Sequence, residues 1–462
     1  MPPLVKIAIV FAFLIVLLRL KLGIGWVLLL AAALLTALFG AYVEVGRAVT
    51  GAKFLGYAVS LTVTILMLNT LGQVFAASGD TARLVVSLEH LLRDSRAALT
   101  LIPAFIGFLP MPGGAMLSAP PVREVGERIG LPEHDRVVIN HWFRHVWEYI
   151  SPLYPGVIVL MGFDWLKAGY GTVLLVNFPM TLLAIAIGVI LYVLPVGRRP
   201  VELLPGRRLG HSLFDLARAV WPIVLVTVGA VVLGKQWIMP FLSLIIVLVA
   251  LQGHLLATRS QRVLGVVFAA VFGGVSTVAA LTGSDLWNIA LAAPAAVLVA
   301  YVWRSVPHDL GAAFRHGFNY TMTMTVIGVS VFGAVVEGSG AAPAVAESLR
   351  ALGLNPFLLL LFVPFVVGLL AGATLVYVST TLPVLGAAGL ITAGPTLLLA
   401  YGAGFMGVML SPVHPCLVLT IDYFQAGFGA TYRKLIPGVV AFIVGILLLA
   451  WLGWPTFLVG SP

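Results

Sequence analysis

The sequence predicts an all-α polytopic membrane protein of about twelve transmembrane helices in two inverted-topology repeats, each with a re-entrant hairpin and a proline-broken helix. Three observations predict it. Of 462 residues, 61% are hydrophobic and 9% charged, with a mean hydropathy of +1.09. Apolar runs recur from residue 4 to residue 459 with only short loops between them. The chain also matches itself when displaced by 261 positions.

Runs such as "VKIAIVFAFLIVLL", "IGWVLLLAAALLTALFGAYV" and "LLVNFPMTLLAIAIGVILYVLPV" are apolar around the whole helix circumference, as a lipid-facing span must be. No segment between the runs is long enough to build a separate soluble domain. The first run keeps charged neighbours and has no small-residue cleavage site, so it reads as a retained helix, with the mature chain starting near Met1. A single cysteine, Cys416, excludes an internal disulfide. No Cys/His grouping has zinc spacing, so neither a metal nor a cofactor is expected. The formal charge of +9 is assigned to cytoplasmic loops rather than to a nucleic-acid surface. There is no G-x-x-x-x-G-K-[ST], H-E-x-x-H or G-x-S-x-G, which argues against ATP-driven transport and the familiar hydrolases, and no enzyme activity is expected.

The displacement of 261 superposes Gly72 on Gly333, Ser78-Gly79 on Ser339-Gly340, Pro103 on Pro364, Gly107 on Gly368 and Ser118 on Ser379. At 260, Ser151-Pro152 and Pro155 fall on Ser411-Pro412 and Pro415, so "SPLYP" and "SPVHP" are equivalent. The first repeat is residues 1–200, with a hairpin at about 98–122 and a broken helix at about 137–163. Residues 201–260 form a linking transmembrane pair. The second repeat is residues 261–462, with a hairpin at about 356–391 and a broken helix at about 396–420.

Charge decides the topology. The first hairpin arm is about 18 Å long against a hydrocarbon core of about 30 Å, which suits a re-entrant segment. With both hairpins re-entrant, 19 Lys and Arg lie on one side and 6 on the other, and Arg144 is left inside a span. With both as full crossings the split is 10 against 15. The first arrangement obeys the positive-inside bias and puts both termini outside the cytoplasmic (inner) membrane. An odd number of spans then separates equivalent points, so the second copy is inverted.

Each proline break releases backbone groups at membrane depth, where only protein or a wet cavity can satisfy them. Half-helix N-termini there suit a carboxylate or oxyanion, and C-terminal carbonyls a cation. Gly113 and Gly114 at the first hairpin tip, with Ser118, Ser151, Ser379, Thr380, Thr381 and Ser411, are the candidate substrate-binding groups beside the breaks. Each hydroxyl equally fits a bond to the carbonyl one turn back. In "NHWFRHVWEYISP", His141, Arg144, His145 and Glu148 fall at i, i+3, i+4 and i+7, on one face of a helix. Their counterparts at offset 260 are Tyr401, Gly404, Phe405 and Val408, so the fold itself does not need that face charged. Arg144 fits either an anionic substrate's partner or a structural ion pair with Glu148. Glu148, His145 and His414 are the candidate ion-coupling residues, although His414 also fits a carbonyl cap.

At "GFLPMPGGAMLSAPPV", "NHWFRHVWEYISPLYPG" and "LSPVHPCLVLTIDYF" the sequence resembles domain-of-unknown-function family 401, a prokaryotic family of integral membrane proteins. That family is grouped with the ion transporter superfamily, alongside gluconate permeases and dicarboxylate and citrate carriers. The resemblance covers most of the chain. It implies two re-entrant hairpins, two broken helices, a homodimer and an elevator-like motion, and it supplies no substrate. Sodium-coupled relatives carry Ser-Asn-Thr signatures at the hairpin tips, where this chain has Ser118-Ala119-Pro120 and Ser379-Thr380-Thr381. Arg144, His145 and Glu148 therefore fit proton coupling better than sodium. The resulting expectation is a secondary transporter of a small organic anion, of the carboxylate or sugar-acid class. A cation/proton antiporter and a membrane enzyme acting on a lipid-linked substrate are the alternatives.

Overall fold

The structure is a computed structural model, and it describes residues 1–20, 22–92, 94–108, 114–197, 209–233, 238–252, 259–282, 320–351 and 355–454. Gly113, most of the first hairpin tip and the second-repeat segment 283–319 lie outside the described residues. Among the described residues all regular structure is helical.

The first part of the chain gives α1 (Pro3–Arg19), α2 (Ile24–Phe39), α3 (Tyr42–Thr50), α4 (Ala52–Ala77), α5 (Asp80–Leu91), α6 (Ser95–Ile106), α7 (Ala115–Arg128), α8 (Glu133–Arg144), α9 (Pro155–Gly162) and α10 (Tyr170–Gly188). α11 (Leu209–Leu233), α12 (Ile238–Gln252), α13 (Arg259–Phe268) and α14 (Val275–Thr282) follow. The last part gives α15 (Tyr320–Gly338), α16 (Ala341–Ala351), α17 (Pro356–Ala371), α18 (Thr374–Ala387), α19 (Pro395–Leu410), α20 (Pro415–Phe424) and α21 (Phe428–Trp451).

Among the described residues six helices are long and apolar enough to cross a membrane, including Phe54–Ala77, Tyr170–Val193 and Phe428–Trp451. One of the six, Pro395–Phe424, runs through the second break. Large apolar side chains such as Leu182, Val228, Phe362 and Val444 point outward, as lipid contact requires. The inner face is apolar too, with Leu28, Ile139, Phe143, Leu398 and Phe405 fully buried.

Local structure repeats with the sequence. Gly79 and Gly340 both end a helix in the left-handed region, at φ 74° and 68°, a conformation open to glycine because it lacks a Cβ. The side chain of Asp94 caps α6 by accepting from the backbone N–H of Arg96 and Ala97, and Asn355, 261 residues on, caps α17 by accepting from Phe357 N–H. α6 and α7 pack together as a pair, as do α17 and α18. At 12, 14, 16 and 14 residues, none of these four arms reaches the length of a full crossing, about 20 residues.

The halves interlock. α9 packs on α18, and α20 packs on α7 and α8, so each broken helix lies against the hairpin helices of the other half. At the α6–α8 contact a Cβ on Gly107 would run into the backbone carbonyl of Arg144, and at the α17–α19 contact one on Gly368 would run into that of Gly404. Glycine at these two equivalent positions lets backbone touch backbone.

Candidate functional site

Pro152 lacks an N–H and cannot continue the ladder to the carbonyl of Glu148, so the helix is interrupted ahead of the proline, and its regular part ends earlier still. α8 ends at Arg144, and residues 145 to 154 run in turns until α9 begins at Pro155. The expected single helix face is thus divided: His141 and Arg144 stand on α8, His145 at its end and Glu148 in the interruption. The tight turn 145–148, with Glu148 N–H donating to His145 C=O at 3.2 Å, still keeps the four together.

The released carbonyls are met by side chains from elsewhere, as buried backbone requires. Glu148 C=O accepts from the Tyr401 hydroxyl at 3.0 Å, Tyr149 C=O from Asn177 Nδ2 at 2.9 Å, and Ile150 C=O from Tyr170. In the second break Leu410 C=O accepts from Tyr432 at 2.9 Å, and Met409 C=O lies 3.1 Å from His141 Nε2. Tyr401 and His141 are equivalents at offset 260, and each braces the break of the opposite half. The equivalent rings of His145 and Phe405 lie 6.4 Å apart.

A buried charged cluster occupies this junction. Arg144 Nη1 lies 3.5 Å from Glu148 Oε1 and donates to the Tyr154 hydroxyl at 2.8 Å, while Tyr154 donates to Gly107 C=O. Glu148 Oε2 accepts from Thr374 at 3.3 Å, and its Oε1 is 3.8 Å from His145 Nε2. His414 Nε2 lies 3.2 Å from His145 Nε2. Tyr154 and His414 are the residues immediately before α9 and α20, and Thr374 is the first of α18. Three helix N-termini, whose dipoles favour negative charge, therefore gather at the cluster.

Of the sequence-predicted residues, Arg144, His145, Glu148 and His414 meet. The hydroxyls are buried but locally engaged: Ser118 bonds Ala115 C=O, Ser379 and Thr380 bond Val376 C=O, and Thr381 bonds Tyr377 C=O. Ser151 and Ser411 accept from the backbone N–H two residues on, at 3.3 Å in both breaks. Gly114 is the residue before α7, and the α8 side chain Asn140 donates to Ala115 C=O beside it. Gly372, in the left-handed region at φ 63°, accepts at its carbonyl from His414 Nδ1 at 2.8 Å. Sequence reasoning missed Tyr154, Thr374 and the bracing role of Tyr401. The signals in the sequence were Tyr154's place directly before Pro155 and Tyr401's place 260 residues after His141, and Thr374 had none.

A second buried polar centre also escaped it. Asp80 is fully buried, takes hydrogen bonds from Ser78, Arg83 and Gln252, and lies 3.4 Å from Arg218. It ties the start of α5 to α11 and α12.

The model of the family described as "Protein of unknown function (DUF401)" matches residues 3–277 and 274–454. No curated protein matches. A solved structure, the Alcanivorax borkumensis YdaH transporter, described as having an unusual topology, is similar at 16% identity and a TM-score of 0.43. The match covers 91% of this chain and 88% of that one, a likeness too slight to transfer topology or substrate.

Proposed function

The chain belongs to the DUF401 family, whose description assigns no function, and from its buried cluster we propose a secondary active transporter of a small organic anion, coupled to protons. The observation that carries this is the Arg144–Glu148 pair at the meeting of both proline breaks and three helix N-termini. With Glu148 ionised, its carboxylate holds Arg144. A proton on Glu148 removes that competitor, so the guanidinium turns to the carboxylate of a sugar acid or similar anion, and proton and anion are carried together. Sodium coupling is the weaker form of this reading, because the hairpins carry Ser118-Ala119-Pro120 and Ser379-Thr380-Thr381 where sodium-coupled relatives carry Ser-Asn-Thr.

The architecture proposed with it is about twelve spans in two inverted repeats, working as an elevator in a homodimer. It sits in the inner membrane with both termini outside, within the ion transporter superfamily. The repeated caps at Asp94 and Asn355 and the mutual bracing by His141 and Tyr401 support a two-fold relation between the halves.

The test is thermal stabilisation of the detergent-purified protein by carboxylates, sugar acids, oxyanions and cations, at two pH values and in sodium or potassium. The expected result is a specific anion that raises the melting temperature more at the lower pH, independently of sodium. Stabilisation by cations alone would turn the reading to an antiporter, and a flat response would sink it.

A further inference from the structure

The geometry points to a transition-metal site built from His141, His145 and His414, which goes beyond the transport reading and does not depend on it. One ring nitrogen from each of the three buried histidines lies within 4.8 Å of the other two. Each ring is already oriented through its other nitrogen by a backbone carbonyl: His141 Nε2 by Met409, His145 Nδ1 by His141 and His414 Nδ1 by Gly372. A carbonyl only accepts, so each of those nitrogens carries the hydrogen. The lone pairs left over then belong to His141 Nδ1 and to the Nε2 atoms of His145 and His414. His141 Nδ1 is buried and has no hydrogen-bond partner, and the Nε2 atoms of His145 and His414 face each other at 3.2 Å.

Lone pairs so placed need a cation between them. A single shared proton would join His145 and His414 but would leave His141 Nδ1 unmet. A dication held by three imidazoles meets all three, and a backbone carbonyl on the second nitrogen is the usual way such ligands are fixed. The 3.2 Å separation matches the edge of a tetrahedron with metal–nitrogen bonds of about 2.0 to 2.1 Å. Imidazole ligands select zinc-like ions over magnesium or calcium. Glu148 Oε1, 3.8 Å from His145 Nε2, supplies negative charge beside the site, while Arg144 beyond it disfavours a second cation. His145 and His414 come from opposite halves of the chain, so a bound ion would pin the two breaks together.

The experiment is titration of the chelator-treated, purified full-length protein with Zn²⁺, and separately with Co²⁺ read by its visible spectrum. One Zn²⁺ per chain is expected, with affinity lowered tenfold to a hundredfold or more in His141→Ala, His145→Ala and His414→Ala, and unchanged in His134→Ala. Wild-type protein should give the intense bands of four-coordinate Co²⁺, a readout that holds even if a variant fails to fold. Sub-stoichiometric metal, affinity indifferent to the three substitutions in folded protein, or a Co²⁺ spectrum like that of the aqueous ion would overturn the site. Metal binding without any anion-dependent stabilisation would keep this inference and remove the transport reading, and the reverse pattern would do the opposite.

Discussion

The Nε2 atoms of His145 and His414 approach to 3.2 Å although the residues stand 269 positions apart. Each sits at the edge of a proline break, His145 at the end of α8 and His414 at the start of α20. The polar centre of the molecule is therefore a product of two interruptions meeting.

If Glu148 carries the coupled proton, Glu148→Gln keeps the side chain's shape and removes its titration. Transport in proteoliposomes should lose its pH dependence while the protein stays monodisperse. An unchanged pH profile would take Glu148 out of the coupling role.

Arg144→Lys replaces a planar fork with a point charge. Affinity for the stabilising anion should fall about tenfold, or ~1.4 kcal/mol, by melting-temperature titration. Wild-type affinity in this variant would reduce Arg144 to the structural partner of Glu148.

Tyr401→Phe deletes the hydroxyl that meets the carbonyl Pro152 leaves open, so a buried acceptor goes unpaired. The expected cost is about 1 to 3 kcal/mol, read as a lower melting temperature. No change would mean that another group takes over the Glu148 carbonyl.

At Gly107 an added methyl meets the Arg144 carbonyl, whereas at Gly171 in α10 it meets nothing within 4 Å. Gly107→Ala should destabilise by about 1 to 3 kcal/mol. Gly171→Ala should stabilise by about 0.5 to 1 kcal/mol through helix propensity. Equal effects from the two would contradict the close α6–α8 contact.

Removing the Asp80 carboxylate leaves Arg218 and Gln252 facing an empty buried position. Asp80→Ala should cost about 1 to 3 kcal/mol, and the double variant Asp80→Ala with Arg218→Met should recover part of it. A loss that the second substitution cannot reduce would argue against a direct pairing.

By itself the sequence determined the helical membrane character, because a run apolar on every side can be solvated only by lipid or by other helices. Its match to itself at an offset of 261 was legible too, and the matched residues Asp94 and Asn355 do the same local work, each capping a helix. The breaks were legible as well, since a proline removes a backbone donor whatever surrounds it. Tertiary structure alone decided what fills them. Local rules imply that the carbonyls of Glu148 and Met409 lose helical partners, but Tyr401 and His141 reach them only because the halves interlock. The same packing splits the expected Arg144–Glu148 helix face and adds His414 to it. Hydroxyls written into the hairpins as candidate binding groups donate to carbonyls of their own helices, which leaves their oxygen lone pairs to meet a ligand. Spacing along a chain fixes which residues share a turn, whereas contacts across 269 positions depend on which helix faces complement each other.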